Sequence, residues 1–151
     1  MIFIPVLTNR ISALTKLCLA TLVIFMSSTA AAEAVPALPS CPARPNCVSS
    51  QATDSHHILP FKVTEDARFA FQKLRKLLTQ RRDTKLISSD DTIIRVEFRT
   101  SLGFVDDGLF LMDSANGLIH IRSAARLGYW DLGKNRSRME EIRKSFAGVH
   151  T

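Results

Sequence analysis

A segment near the middle of the chain carries apolar residues three and four positions apart. This spacing predicts an amphipathic helix with one buried face. We expect the helix to begin after Thr64, because a threonine hydroxyl can accept an amide hydrogen bond at the N-cap and Glu65 and Asp66 would then lie in the first turn. The apolar residues of the segment are Ala67, Ala70, Phe71, Leu74, Leu77 and Leu78.

After this helix, apolar residues occur at every second position. In Thr92–Thr100, Ile94, Val96 and Phe98 alternate with charged residues, which predicts a half-buried antiparallel strand. An Asn-Gly pair at positions 116–117 is a strong hairpin signal. The four strands predicted in this half of the chain are Lys85–Ser89, Thr92–Thr100, Phe104–Asp113 and Leu118–Ala124.

Each end of the predicted domain adds one more element. Ile58–Val63 is apolar but interrupted by Pro60, which predicts a strand at the edge of the sheet because proline donates no ladder hydrogen bond. An apolar stripe ending at Phe146 predicts a last helix, with Asn135 as its N-cap. The order strand, helix, four strands, helix predicts an α+β fold in which helices cover a curved antiparallel sheet. It is similar to the order of TATA-binding-protein-like and helix-grip folds, a likeness that implies no function.

Residues 1–32 have the pattern of a secretory signal peptide. Arg10 and Lys16 precede or flank the ten-residue apolar run Leu17–Met26, and small residues follow, ending in three alanines at positions 30–32. A membrane-spanning helix needs roughly 20 apolar residues, so an uncleaved anchor is the less favoured alternative. We therefore expect cleavage near Ala32 and a periplasmic or otherwise secreted protein.

The next segment, residues 33–45, contains four prolines and no periodicity, which predicts a linker or an extended arm. Residues 46–148 then form a single domain. The whole chain has a net charge of +6, and loss of Arg10 and Lys16 with the signal peptide would lower it to +4. For an exported protein, this modest charge gives no reason to expect a nucleic-acid partner.

Two cysteines, Cys41 and Cys47, lie beyond the predicted signal peptide. In an oxidising compartment the simplest outcome is a disulfide between them, which would pin the proline-rich arm to the domain. A metal site that also uses His56 and His57 is the alternative, although the spacing matches no standard zinc pattern. We therefore expect a disulfide, and neither a metal nor another cofactor.

Adjacent aspartates, Asp106 and Asp107, interrupt the third of the four central strands. Successive strand residues face opposite sides, so one carboxylate should point to the apolar side with Val105, Leu109 and Leu111, unless a bulge breaks the pattern. A buried carboxylate needs a partner. It would form either a structural ion pair that fixes strand register or the polar floor of a ligand pocket. The candidate partners, predicted on flanking strands, are Arg99 and Arg122.

The segment 122–138 combines four arginines, the only tyrosine, the only tryptophan and a predicted helix start. Free amides at a helix start bind anions, and arginine binds carboxylate or phosphate bidentately. The segment therefore predicts a site for an anion or a phospholipid headgroup. The alternative is that Asp131 and the arginines brace the loop onto the sheet. Together with the strand residues, the candidate ligand-binding residues are Arg99, Asp106, Asp107, Arg122, Arg126, Tyr129, Asp131, Asn135 and Arg136.

Several stretches together resemble domain-of-unknown-function family 1499, which occurs in bacteria and plastids. The similarity extends over about 41–146. It implies a single domain that is often exported, and it implies no catalytic residues. The stretches are Pro45–Ala52, Glu97–Arg99, Phe104–Asp107, Arg122–Tyr129 and Asp131–Arg136. The resemblance also implies one shared feature formed by Asn46, Ser49, Ser50, Asp106, Asp107 and Asn135.

Catalysis is the less favoured function. Ser49 or Ser50 could act as a nucleophile, with His56 or His57 as the base and an aspartate to orient it. However, the chain has no G-x-S-x-G elbow, P-loop, dinucleotide fingerprint or HExxH motif. We expect a non-enzymatic module that binds a small anionic or amphipathic envelope ligand or a protein partner, and that contacts the membrane only through an uncleaved signal. A serine hydrolase is the alternative.

Overall fold

The computed structural model describes residues 37–148. The predicted signal peptide, residues 1–32, and the start of the predicted arm lie outside the described residues. The α+β class is confirmed, as is the order of helix, four strands and helix, whereas the first strand below was not predicted. The elements are β1 (Cys47–Ser49), β2 (Phe61–Lys62), α1 (Ala67–Gln80), β3 (Thr84–Ser89), β4 (Ile93–Arg99), β5 (Val105–Asp113), β6 (Leu118–Ala125) and α2 (Lys134–Gly148).

One antiparallel sheet contains all six strands, with the order β1-β6-β5-β4-β3 and with β2 also paired to β6. β1 pairs with the end of β6 and β2 with its start. β2 lies at an edge, as predicted, but it is shorter than Ile58–Val63. Pro60 has no amide hydrogen, and the carbonyl groups of Leu59 and Pro60 accept hydrogen bonds from Arg143 of α2, so these residues do not join the ladder.

One face of the sheet packs against both helices and forms the hydrophobic core. Both helical stripes are buried as their spacing predicts. Phe61 lies in the core with its ring 6.1 Å from that of Phe110 and 5.8 Å from that of Phe146, measured between centroids. Burial of these apolar side chains is the main source of stability. The helical residues of the core are Ala70, Phe71, Leu74, Leu78, Met139, Ile142 and Phe146.

The start of α1 differs from the prediction. Its N-cap is Asp66, whose Oδ1 accepts a hydrogen bond from the backbone N of Phe69 at 2.9 Å. Thr64 lies outside the helix, because the aspartate two residues later satisfies the first free amides. No helix within residues 37–148 is long and apolar enough to cross a bilayer.

The face of β5 that packs in the core is not the predicted one. Asp106, Gly108 and Phe110 face the helices, whereas Val105 and Leu109 lie on the outer face. The core-facing row contains a glycine and an aspartate. Neither counts as an apolar residue, so the sequence does not show the alternation of buried and exposed positions in β5. Asp106 therefore enters the core without a bulge.

Candidate functional site

A buried ion pair joins β5 to α2. Arg138 Nη1 donates to Asp106 Oδ2 at 2.7 Å, and each residue is only 3% exposed. The guanidinium also lies over the ring of Phe98, 4.6 Å from its centroid, a favourable cation–π position. The prediction that Arg99 or Arg122 pairs with the buried aspartate is wrong, because strand alternation turns both arginines to the other face of the sheet.

Further buried polar groups continue from this ion pair. Asn135 Oδ1 accepts hydrogen bonds from the Ser123 hydroxyl and from Arg138 Nη1, the latter at 3.4 Å. Asn135 Nδ2 donates to the carbonyl oxygen of Asn46 at 3.1 Å, and Asn46 Nδ2 donates to that of Gly128 at 2.7 Å. This buried network joins the end of β6 and the loop that follows it to the start of α2 and to the residue before β1.

Asp131 caps α2. Its Oδ1 accepts the amide hydrogen of Gly133 at 3.0 Å, and its Oδ2 accepts the amide and Nδ2 hydrogens of Asn135 at 2.8 and 2.7 Å. The prediction that Asn135 is the cap is therefore wrong: Asn135 lies in the first turn with its side chain buried. Because a carboxylate of the protein itself takes these amides, they do not offer the anion site predicted at the helix start.

A cleft of about 560 Å³ opens at this end of the sheet, between the turn after β4 and the loop after β6. Asp106, Arg138 and Asp83 form its polar floor. Arg138 Nε lies 3.8 Å from Asp83 Oδ2, which is too far for a hydrogen bond, and no other group in residues 37–148 accepts a hydrogen bond from it. Burial raises the pKa of Asp83, but hydrogen bonds from Arg81 and Thr84 outweigh it and hold that pKa below its ordinary value.

The cleft has an apolar rim with positive charge beside it. Lys134 and Arg99 also line the cleft. The Lys134 ammonium makes no ion pair within residues 37–148, and Arg99 pairs with Glu97 at 3.2 Å in an exposed position. The site is thus amphipathic, with charged groups next to a band of exposed apolar side chains. This band, called the rim below, consists of Leu102, Phe104, Leu127, Trp130 and Leu132.

The model of a protein family of unknown function, DUF1499, matches residues 37–146. The chain belongs to the DUF1499 family. The match covers all six strands, α1 and most of α2, so it includes the whole cleft and confirms the resemblance found in the sequence. No curated protein and no solved structure matches the chain.

A second charged cluster of the DUF1499 domain lies on the outer face of the sheet. Arg126 Nη2 contacts Asp107 Oδ1 and Glu97 Oε1, both at 2.7 Å. The hydrogen bond from Arg126 lowers the pKa of Glu97, and both carboxylates raise the pKa of Arg126. Asp107 and Arg126 thus form an exposed ion-pair cluster and do not line the cleft.

Three other predicted site residues also lie away from the cleft lining. Arg122 Nη2 donates to the carbonyl of Ser40 at 3.3 Å in the N-terminal arm, and burial lowers the pKa of Arg122. Arg136 Nη1 donates to the carbonyl of His57 at 2.8 Å and so braces the segment after β1. Tyr129 is exposed next to Trp130 of the rim. The two arginines thus contact backbone carbonyls of the arm and of the segment after β1, and neither contact joins the loop after β6 to the sheet.

Of the nine candidates, Arg99, Asp106 and Asp131 line the cleft. Arg138 was not among the predicted site residues, although the sequence contains a signal for it: it directly precedes Met139 and lies on the stripe of buried residues of α2. A charge in a buried helical stripe predicts a buried partner. The exposed apolar rim had no such signal, because neither of its two loops has a period.

The residues that the family resemblance groups together are divided in the structure. Asn46, Asp106 and Asn135 belong to the buried network, whereas Asp107 lies in the outer cluster. Ser50 follows β1 and approaches a histidine on β6 instead.

That histidine is His120. Its Nδ1 lies 3.2 Å from Ser50 Oγ, and its Nε2 lies 3.4 Å from Asp113 Oδ2. Burial raises the pKa of Asp113, but hydrogen bonds from Asn116 and His120 outweigh it and keep the pKa low. Ser50 Oγ also accepts the amide hydrogen of Ile121 at 2.9 Å. The order serine, histidine, aspartate has the chemistry of a catalytic triad, although the serine is buried.

The histidines predicted to serve these serines have other hydrogen-bond partners. His56 lies between Asp54 Oδ1 and the carbonyl of Arg44, at 2.9 and 3.0 Å. His57 Nδ1 lies 2.9 Å from the carbonyl oxygen of Ala52. The assignment of His56 or His57 as the base is therefore wrong, because the His56 ring is held by Asp54 and the arm carbonyl of Arg44, and the His57 ring by the carbonyl of Ala52.

The predicted disulfide is confirmed: Cys41 and Cys47 are joined, with their Cα atoms 5.7 Å apart. It ties the arm to the first residue of β1. No group of three or more histidine, cysteine, aspartate or glutamate side chains in residues 37–148 is placed to hold a metal ion. The alternative, a metal site formed by both cysteines with His56 and His57, is wrong because the two cysteines are joined in a disulfide.

Proposed function

We propose that this DUF1499 domain is a non-enzymatic binding module that holds a small anionic, amphipathic ligand of the cell envelope in its cleft. The observation that carries the proposal is the cleft itself, about 560 Å³ in volume. Pockets of this size suit a small molecule, and a mostly apolar wall with a few charged groups gives both affinity and orientation.

The charged and apolar parts of the cleft suggest how such a ligand lies. Lys134 and Arg99 are exposed cations at the cleft. The Arg99 side chain is 58% exposed, so water weakens its ion pair with Glu97. An anionic headgroup can replace that partner at little cost. The apolar tail would then lie along the rim, where burial of exposed leucine and aromatic surface favours binding.

We also propose that the protein is exported and works outside the cytoplasm. The order of charge, apolar run and small residues in 1–32 supports this proposal, and a disulfide is weak additional support, since disulfides persist in oxidising compartments. Mass measurement of the protein recovered from cells tests it. A mature N-terminus near Glu33 is expected, whereas an intact residue 1 would leave the protein anchored or retained.

The ligand proposal is tested first by identifying what co-purifies. The protein is isolated from its own cell envelope and the bound small molecules are identified by mass spectrometry. An amphipathic anion present in amounts comparable to the protein is expected. A preparation without any bound molecule, or with a partner protein instead, contradicts the proposal.

A direct binding measurement uses dodecyl phosphate below its micelle concentration as the probe, followed by calorimetry. Lys134→Glu should weaken binding about tenfold, since it reverses a charge beside the headgroup. Lys144→Glu is the matched control, because it makes the same change at an exposed position near the other end of α2. Equal affinity of the two variants would refute the proposed role of the cleft.

The alternative function is a hydrolase that uses Ser50, with His120 and Asp113 as its partners. The chain of contacts from Ser50 to Asp113 favours it. Against it, the serine hydroxyl is buried and accepts an amide hydrogen bond, and the cleft described above does not include it. A fluorophosphonate probe that labels the wild type but not Ser50→Ala would establish the hydrolase and refute the binding module as the sole function.

A further inference from the structure

We propose that the rim docks on the surface of a lipid bilayer that contains anionic lipids, and that the ligand of the cleft is a lipid taken from that bilayer. The inference rests on the proposed function for the identity of the ligand. The docking itself is carried by the placement of apolar and charged side chains at one end of the domain.

Exposed apolar side chains are concentrated at this end. Within residues 37–148, nine large apolar side chains are exposed, and six of them belong to the two loops beside the cleft. A soluble protein rarely leaves such a group of side chains in water, and a continuous patch of this kind marks an interaction surface. The six are the rim residues and Tyr129.

The residue types of the rim fit the surface of a bilayer. Tryptophan and tyrosine side chains favour the headgroup region of a bilayer, and Trp130 and Tyr129 are adjacent. Leu102 and Leu132 are 82% and 77% exposed, and on a bilayer they would reach the acyl chains. Leu132 has a φ of 56°, so its outward position requires a backbone conformation that leucine rarely adopts.

The charges beside the rim complement anionic lipids. Lys134 and Arg99 line the cleft as exposed cations. The nearest carboxylates are engaged: Asp131 accepts hydrogen bonds from the start of α2, and Asp83 pairs with Arg81 at 2.9 Å. Lys134, which makes no ion pair within residues 37–148, is therefore free to meet a phosphate group, whereas Arg99 would exchange its contact with Glu97 for one. A lipid headgroup that leaves the bilayer would find the same cations at the cleft.

The test uses the fluorescence of Trp130, the only tryptophan in the chain. The full protein is mixed with vesicles of phosphatidylcholine, or of phosphatidylcholine with phosphatidylglycerol. Because only Trp130 is observed, the signal reports contact of the rim, whichever other part of the chain touches the vesicle. With the anionic vesicles we expect the emission to shift to the blue and lipids brominated near the headgroup to quench it.

The test variant carries Leu102→Asn and Leu132→Asn. Both side chains are exposed, and asparagine tolerates a positive φ well, so the fold should be retained. The variant should need about tenfold more anionic lipid for the same shift, since two apolar side chains no longer enter the bilayer. Leu59→Asn is the matched control, because Leu59 is also exposed but precedes β2 at the other end of β6.

Three results would overturn docking: no change in Trp130 emission, an equal response to both kinds of vesicle, or an unaltered response of the double variant. If dodecyl phosphate binds while the vesicles give no response, docking fails and the proposed function stands. If the vesicles give the response while dodecyl phosphate does not bind, docking is supported and the proposed function fails.

Discussion

Two neighbouring aspartates on β5 form ion pairs of the same length in different surroundings. Asp106 meets Arg138 at 2.7 Å inside the domain, with both side chains at most 4% exposed. Asp107 meets Arg126 at 2.7 Å on the outer face, with side chains 47% and 45% exposed. The distance between two charges therefore does not decide how much their pair contributes to stability. The solvent around it does.

The physical reason is the balance between attraction and loss of hydration. Water screens the charges of the outer pair and solvates either partner when the other is absent. The outer pair therefore contributes little to stability, and removing it costs little. The inner pair has given up its hydration, and Arg138 is held further by Asn135 and the ring of Phe98. Removing one inner partner leaves a buried charge with no compensation.

Asp106→Ala tests the inner pair and should have the largest effect. It leaves the Arg138 guanidinium buried without its carboxylate, so the free energy of unfolding should fall by about 3–5 kcal/mol. Urea denaturation followed by circular dichroism measures the change. A loss below about 1 kcal/mol would mean that Arg138 finds water or another partner.

The double variant Asp106→Leu, Arg138→Met provides the control for that prediction. It removes both charges and keeps apolar volume, so it should be more stable than Asp106→Ala. If both variants are equally unstable, packing rather than an unpaired charge explains the loss.

Gly108→Ala tests how tightly the core packs beside the inner pair. A Cβ atom at this position would lie 2.7 Å from Val96 Cγ2 and also overlap Phe98, the ring that supports Arg138. Overpacking should lower the free energy of unfolding by about 1–3 kcal/mol. Gly148→Ala, which meets no atom within 4 Å, should leave the urea midpoint unchanged or slightly raised. Equal midpoints for the two variants would contradict the packing argument.

Asp83 is intermediate in exposure between Asp106 and Asp107, since its side chain is partly exposed at the floor of the cleft. Its pKa in the folded protein is lower than its ordinary value of 3.8. The unfolded chain therefore takes up the proton first as the pH falls below 3.8, and stability present above that pH is lost as the pH falls through the lower, folded pKa. Asp83→Asn should flatten the pH dependence of the urea midpoint below pH 3.8. An unchanged slope would show that other carboxylates dominate.

Asp107→Asn tests the outer pair and should have the smallest effect. Arg126 keeps Glu97 as a partner, and water solvates whatever is left. The thermal midpoint should stay close to that of the wild type, and any difference should vanish in high salt. A salt-independent loss comparable to that of Asp106→Ala would erase the contrast between the two faces.

The sequence predicted the elements of the fold better than their contacts. Periodicity located α1, the four central strands and the buried stripe of α2, because the spacing of apolar residues reflects local geometry. It placed the core face of β5 wrongly, since Gly108 and Asp106 interrupt the apolar row. It also missed β1, whose three residues form a strand only because β6 has an unpaired edge at that point.

The candidate site was predicted in part. Arg99, Asp106 and Asp131 line the cleft. Five other candidates hold loops, the outer cluster or the buried network, and Tyr129 is exposed beside the rim. Aspartate and arginine side chains pair equally well in any of these places, so residue type alone does not separate them. The face and the depth at which each lies depend on residues far away along the chain.

Local sequence alone was enough to predict the periodic elements, the α+β class, the close pair of cysteines and the grouping of charges and aromatic residues after β6. These properties depend on neighbours within a few positions. Long-range folding, in contrast, pairs Asp106 with Arg138, 32 residues away. It also brings the apolar side chains of two loops without periodicity around one cleft. Such contacts join distant segments, and burial then gives the same pair of charges a different energetic weight.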